Sequence, residues 1–266
     1  MVRIQIASDL HLEFYENTPQ KEDFFETLLT PPVDKDSVDI LILAGDIGYP
    51  EDKITEKFLG WCCGLWKKVI WIYGNHEYYN GSKSHYSMQV KEECGAVHAA
   101  FHKNLEFLQD DNIEIGDNLI LAGCTFWTNL NSADKKLVQN SMNDFSQIWQ
   151  GVDAPFSPDL WNELHWSSRA YLEDVLEGAA NTRKKVIVVT HHLPSYRMIL
   201  PQYQGHPANC GFAAKADTLL DHPCVTAWIC GHSHGQHTVG KCHLNARGYK
   251  GETSNTTYNP VYIIEI

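Results

Sequence analysis

The chain of 266 residues carries 21 Lys+Arg against 33 Asp+Glu, a formal charge of −12 with histidine neutral. Gripping nucleic acid through its phosphates, or lying on anionic lipid, needs a basic face, so long nucleic acids and membranes are disfavoured as partners. A hydrophobic fraction of 43%, 20% charged residues and 11 prolines exclude disordered and fibrous classes. Apolar runs such as Val186-Ile187-Val188-Val189 fall far short of the ~20 residues that a membrane helix requires.

The N-terminal Met1-Val2-Arg3-Ile4-Gln5-Ile6-Ala7 lacks the basic region and long apolar core of a signal peptide and reads as a strand. Eight cysteines form no Cys-x-x-Cys, which points to free thiols in a reducing, cytoplasmic setting. The sequons Asn80-Gly81-Ser82 and Asn255-Thr256-Thr257 are then chance matches.

In chain order, strands are predicted over 2–7, 38–44, 68–73, 118–124, 185–190, 225–230 and 261–266, with long helices over 83–102 and 159–178. The second helix opens on Ser157-Pro158 as N-cap and first-turn proline. Ile113-Glu114-Ile115, Gly116-Asp117-Asn118 and Leu119-Ile120-Leu121 form a β-hairpin pattern. Short apolar strands alternating with longer stretches, without linker or repeat, predict one α/β domain over 1–266. The hairpins, here and at the C-terminus, make its sheets mixed.

The residues just after each strand carry the chemistry. The strand over 2–7 runs into Ser8-Asp9-Leu10-His11, and that over 38–44 into Gly45-Asp46-Ile47-Gly48. The next three deliver Gly74-Asn75-His76-Glu77, Thr190-His191-His192-Leu193-Pro194 and Gly231-His232-Ser233-His234. In α/β sheets the carboxyl edge of the strands is where ligands bind. Two carboxylates (Asp9, Asp46), one amide (Asn75) and four imidazoles (His11, His191, His232, His234), with no thiolate among them, suit Mn, Fe, Zn, Co or Ni. Seven donors are too many for one such ion, whereas two ions sharing a bridging carboxylate would use them all. An extended backbone would put Asp9 and His11 on one side, and His232 and His234 likewise. Glycines before Asp46, Asn75 and His232 permit tight turns there.

Each motif alone has a bland reading. An Asp after a strand is commonly a turn former, and a His-His pair is commonly one packed and one exposed ring. Their recurrence in order, each directly after an apolar strand, outweighs those readings.

The whole pattern resembles that of the calcineurin-like metallophosphoesterases: Asp-x-His, Gly-Asp, Gly-Asn-His-Glu/Asp, His and Gly-His-x-His, matched here from Asp9 to His234. The resemblance implies a four-layer α/β/β/α fold, two mixed sheets packed as a sandwich flanked by helices, with two divalent metals at the sheet ends, Mn or Fe favoured. It implies that Asp9, His11 and His234 hold one metal, that Asn75, His191 and His232 hold the other, and that Asp46 bridges them. His191 is assigned rather than His192 because it directly follows the strand. His76 is the implied catalytic residue, a general acid during attack by metal-activated water on a small phosphorylated substrate. A phosphodiester or cyclic nucleotide is favoured over a phosphomonoester or phosphoprotein.

Departures narrow the choice. Protein Ser/Thr phosphatases continue their second motif with an aspartate and an arginine that Gly45-Asp46-Ile47-Gly48-Tyr49-Pro50 lacks. The pyrophosphohydrolases of lipid A synthesis share Ser8-Asp9-Leu10-His11-Leu12 but carry Arg where this chain has His76. A non-catalytic scaffold on this fold would have lost ligands, and all seven are present. Three residues are candidates for substrate contact: Arg247 as a fork for phosphate, Trp127 as a stacking face for a nucleobase, and His192 beside the phosphate. The competing readings are an exposed loop arginine, core packing and a supporting role behind the ligands.

Overall fold

In the computed structural model, which describes residues 1–17, 23–80, 87–151, 154–252 and 257–266, the apolar runs become strands and the longer stretches between them helices and loops. β1 (Arg3–Ala7), β2 (Ile40–Ala44), β3 (Lys68–Ile72) and β4 (Leu105–Phe107) pair in parallel. β5 (Asp111–Ile115) and β6 (Leu119–Cys124) make the expected hairpin, and β7 (Trp149–Gly151) with β8 (Ala154–Pro155) a small separate ribbon. β9 (Lys185–Thr190) and β10 (Val225–Cys230) lie parallel to β6, and a second hairpin of β11 (Gly235–Val239) and β12 (Cys242–Ala246) follows. β13 (Ile263–Glu265) returns antiparallel to β1. The two large sheets have the orders β13-β1-β2-β3-β4 and β11-β12-β10-β9-β6-β5.

Period-two alternation explains why these strands are apolar throughout. Ile4, Ile6, Ile40, Ile42, Ile70 and Ile72 of the first sheet meet Leu121, Ile187, Val189, Ala227 and Ile229 of the second in one buried cluster. The intervening Leu41, Leu43, Val69 and Trp71 face outward and pack with Phe58, Leu59 and Cys62 of α1 (Lys53–Leu65). On the far side, Val186, Val188 and Trp228 pack with helix residues Leu172, Leu176 and Ala179. Each fully buried aliphatic side chain contributes about 1.5–3 kcal/mol. The sandwich between helices is therefore the mixed α/β fold that the resemblance implies.

The remaining helices are α2 (Met88–Phe101), α3 (Ser132–Ser141), α4 (Asp144–Gln147), α5 (Pro158–Thr182) and α6 (Asp217–Leu220). Ser157 caps α5 as expected, its hydroxyl accepting from Leu160 N at 3.1 Å, and the helix runs one turn past the predicted end to a left-handed Arg183. The helix expected over 83–102 begins at Met88, capped by Ser87, and residues 83–86 lie outside the described residues. Both sequons also extend outside them. The three-residue β4 has no sequence signature of its own: it is a strand only because β3 offers it an edge. None of the eight cysteines is paired. Among the described residues no helix is long and apolar enough to cross a membrane.

Candidate dinuclear metal centre

The carboxyl ends of β1, β2 and β3 in one sheet and of β9 and β10 in the other meet at one edge of the sandwich. Backbone bonds tie the ends of β1 and β2, and those of β9 and β10: Asp9 N donates to Gly45 O at 3.0 Å, His11 N to Asp46 O at 3.0 Å, and Gly231 N to His191 O at 2.9 Å. The two-residue spacing works differently from the extended geometry expected of it. Asp9, His11, Asp46 and His232 all sit in the left-handed region, with φ of 55°, 52°, 54° and 68°. β1 already ends at Ala7 and β10 at Cys230, so left-handed turns, not strand alternation, swing the side chains inward. Left-handed non-glycine backbone costs on the order of 1–3 kcal/mol per residue and is retained where a site requires it. At Gly74 the requirement is space: a Cβ there would lie 2.2 Å from Asp46 Oδ1 and 2.7 Å from His191 Nδ1.

Two sets of donor atoms converge. Asp9, His11 and His234 form one cluster, Asp46, His191 and His232 another, each with donor atoms within 4.8 Å of one another. Asp46 lies between them, its Oδ2 3.3 Å from His191 Nε2 and 4.0 Å from His11 Nε2. Asn75 Oδ1 is 3.1 Å from His191 Nε2. These side chains are buried except that of His234, which keeps 17% of its surface exposed.

The hydrogen bonding fits divalent cations at both positions. His11 Nδ1 contacts Glu13 Oε1 at 3.0 Å, His234 Nδ1 contacts Glu252 Oε2 at 2.5 Å, and His191 Nδ1 contacts Ala44 O at 3.0 Å. A ring nitrogen facing an oxygen acceptor must carry the proton, which leaves each Nε2 as a lone pair turned inward. His11 Nε2 and His234 Nε2 then face each other at 3.3 Å, and His191 Nε2 faces the amide oxygen of Asn75 and a carboxylate oxygen of Asp46. Lone pairs in such opposition need a cation between them. Among the described residues the buried His232 Nε2 has no hydrogen-bond partner.

Protons meet the same need in part. Burial opposes it, but Asp46, followed by Asp9, raises His191 to about 10. Against its own burial, Asp46 is held well below the usual carboxylate range by His191, His76 and His11.

His76 lies at the same edge but turns its Nε2 to a hydroxyl and not to another candidate ligand. Both its nitrogens are engaged, Nδ1 with Glu13 Oε1 at 3.0 Å and Nε2 with the Tyr249 hydroxyl at 3.1 Å. Its ring stacks on Tyr79 at 4.2 Å, and its backbone N–H donates to Asp46 Oδ1 at 2.8 Å. Burial lowers its pKa, but Asp46 and Glu13 more than compensate, raising it to about 9. Glu13 in turn is held down to about 2, against burial, by His11 and His76.

Glu13 carries no signal in the sequence beyond following His11 by two residues in His-Leu-Glu. Glu77 has no role assigned by sequence either, although it stands inside a matched motif: its carboxylate accepts from Asp46 N, Ile47 N and Gly74 N at 2.7–2.8 Å, clamping two ligand turns together. Tyr79 orients a ligand. Asn75 Nδ2 donates to its hydroxyl at 3.1 Å and that hydroxyl donates to Asp144 Oδ2 at 3.0 Å, which turns Asn75 Oδ1 toward the cluster.

The three candidate substrate contacts lie elsewhere. Trp127 is 1% exposed, packed on Trp161 at 4.7 Å, Phe156 at 5.0 Å and His192 at 5.0 Å, so it has no free face for a nucleobase. Core packing wins because its neighbours are aromatic and fully buried. Trp127→Ala is expected to cost about 3–5 kcal/mol of unfolding free energy, read by urea denaturation; a loss below about 1 kcal/mol would contradict the core role. His192 is fully buried behind the ligands, tilted against His232 at 4.4 Å, and burial and the neighbouring His191 hold it down to about 3. It is a neutral support for His232 and not a wall of the cavity. Arg247 lies over the Tyr15 ring at 5.8 Å and donates to its hydroxyl at 3.3 Å. From the same loop it is Tyr249 that reaches His76.

A cavity of 480 Å³ opens onto the cluster, its walls including Asp46, His76, His232 and His234 on one side and Met142, Ile199 and Phe212 on another. Asp46, Asp144 and Glu252 are its carboxylates, and among the described residues no lysine or arginine lines it.

Comparison with known proteins agrees with this arrangement. The chain is 27% identical to the uncharacterized protein L509 of Acanthamoeba polyphaga mimivirus over 281 residues, covering 99% of this chain and 96% of that one. Its fold is similar to that of the phosphopantetheinyl hydrolase PptH from Mycobacterium tuberculosis, with a TM-score of 0.67 at 13% identity, over 98% of this chain and 95% of the other. It is also similar to TT1561 of Thermus thermophilus, with a TM-score of 0.55 at 10% identity, over 93% and 89%. The calcineurin-like phosphoesterase pattern matches residues 2–236, nearly the whole chain, and the five strands whose ends converge, their turns and the candidate donors all lie within that span. That match spans most of the chain and encloses donor groups that could hold metal ions, so the chain belongs to the calcineurin-like phosphoesterase family.

Proposed function

We propose that the protein hydrolyses small phosphodiesters, with Asp9, His11 and His234 holding one divalent ion, Asn75, His191 and His232 the other, Asp46 between them, and His76 as general acid. The absence of lysine and arginine from the described cavity wall carries the choice of a diester. A phosphomonoester dianion gains most from a guanidinium or ammonium on its extra charged oxygen. A diester has one charge fewer and a second substituent, for which a cavity of 480 Å³ has room. Mn or Fe suits the O and N donor set, which lacks sulfur. The ions would supply a lowered pKa for water held between them and charge neutralisation for the phosphoryl oxygens.

The chain's own residues do the rest. Glu13 holds His76 Nδ1, leaving Nε2 as the atom that exchanges a proton on the side of the leaving oxygen. Asp46 and Glu13 keep that ring in its protonated form near neutral pH. Tyr79 stacks beneath it and fixes its plane. Ile199, Phe212 and Met142 cover the alcohol half and exclude water from it. The pairing of β13 with β1 and the completion of the second sheet by β11 and β12 support residues 1–266 acting as one domain. Unpaired thiols support a reducing, cytoplasmic compartment.

The test is a side-by-side assay of bis(p-nitrophenyl) phosphate and p-nitrophenyl phosphate with Mn²⁺, with and without chelator. The diester is expected to be hydrolysed about tenfold faster or more, and chelator to abolish both rates. A faster monoester would overturn the diester reading; indifference to chelator and added metal would overturn the mechanism.

A further inference from the structure

The Tyr249 hydroxyl occupies the place that a leaving oxygen would need. It lies 3.1 Å from His76 Nε2, the one nitrogen of that ring not tied to Glu13. The ring of Tyr249 is held over the cluster by His11 at 4.4 Å, His234 at 4.6 Å and Phe14 at 5.6 Å. The hydroxyl-bearing residue also lines the cavity, together with His76, Asp46 and His234. His76 Nε2 therefore already has a partner in Tyr249 at the cavity wall. A phenol suits that position, because its oxygen accepts one hydrogen bond while its O–H donates another.

We infer that Tyr249 is a catalytic residue, the group through which the proton of His76 reaches the leaving oxygen. The inference rests on the phosphodiester reading above. As the P–O bond breaks, its electron pair goes to the leaving oxygen, which takes the Tyr249 O–H proton and departs as a neutral alcohol. Tyr249 takes the His76 Nε2 proton in the same step, and the proton released by the attacking water restores His76. The line Glu13–His76–Tyr249 thus runs from a buried carboxylate to the cavity. Its value is greatest for esters of poorly leaving alcohols and small where the leaving oxyanion is already stable.

The test uses the metal-loaded protein and two diesters of similar shape, diphenyl phosphate and bis(p-nitrophenyl) phosphate. Tyr249→Phe keeps the ring against His11, Phe14 and His234, so two metals per chain are expected by elemental analysis. Turnover of diphenyl phosphate is expected to fall about 10²-fold and that of bis(p-nitrophenyl) phosphate less than about threefold. Because both residues serve one proton, Tyr249→Phe added to His76→Ala is expected to cost nothing beyond His76→Ala alone. Equal losses on the two esters, or additive losses in the double variant, would overturn the relay and leave the phosphodiester reading standing. Failure of the metal-loaded wild type to hydrolyse either diester would overturn both.

Discussion

Asp46→Asn is expected to leave a folded protein that binds fewer than two metals and turns over diester about 10²–10³-fold more slowly. The expectation rests on position and charge together. Asp46 Oδ2 faces His191 Nε2 at 3.3 Å and His11 Nε2 at 4.0 Å, so a single side chain serves both donor sets. It is also one of two carboxylates, with Asp9, in the proposed set of seven ligands, and two divalent ions bring four positive charges into a buried pocket. An amide has nearly the same shape and its oxygen can still accept from His76 N, now at 2.8 Å, so the fold has no reason to change. It lacks only the charge, and in a site removed from water charge matters most. Elemental analysis, with thermal unfolding as the control on folding, checks the prediction. Two metals retained in the variant would sink the bridging assignment.

His76→Ala is expected to do the reverse: both metals stay and the chemistry is lost. The distances alone do not make this obvious, since His11, Asp46 and His76 also present donor atoms within 4.8 Å of one another. The partners separate them: His76 Nε2 meets the hydroxyl of Tyr249, whereas Nε2 of His11 and of His191 faces another candidate ligand, and that of the buried His232 has no partner among the described residues. General acid catalysis is typically worth about 10²–10⁴-fold, so turnover of diphenyl phosphate is expected to drop by about that factor and that of bis(p-nitrophenyl) phosphate by about tenfold or less. The nitrophenolate leaves without a proton, and that difference separates acid catalysis from positioning. Equal losses on both esters would remove the acid role, and loss of metal would make His76 a ligand.

Much of the site is legible in the sequence because its chemistry is written at strand ends. An apolar run followed at once by Asp-x-His, Gly-Asp, Gly-Asn-His-Glu or Gly-His-x-His is a local signal, and the fold's parallel strands carry those ends to one edge. Strand alternation nevertheless misleads in detail. Asp9, His11, Asp46 and His232 converge through left-handed turns, and nothing in Asp-Leu-His states that the strand has already ended. Glu13 is hidden for a related reason: its partner His76 is 63 residues away, so its role exists only once β1 and β3 lie in one sheet. Tyr249 is 173 residues from His76 and reaches it from the loop after β12. Trp127 shows the opposite error. A tryptophan in a loop over the metals looks available for stacking, but burial is a property of its neighbours, and Phe156, Trp161 and His192 enclose it.

The sequence by itself therefore determined the class of fold, the candidate donor atoms and the kind of reaction, since each depends on residue type and on order along the chain. Tertiary structure alone decided which groups hold and shield those donors: Glu13, Glu77, Tyr79 and Tyr249 act through contacts whose partners are distant in sequence. It also decided the meaning of the charge. The −12 of the whole chain remains an argument against long polyanions, although Asp9, Asp46, Glu77 and Asp144 are buried. At the buried edge the converging donors are groups that could hold cations, which would attract a phosphate. Charge counts add along a chain, whereas potentials depend on which charges the fold brings together and removes from water.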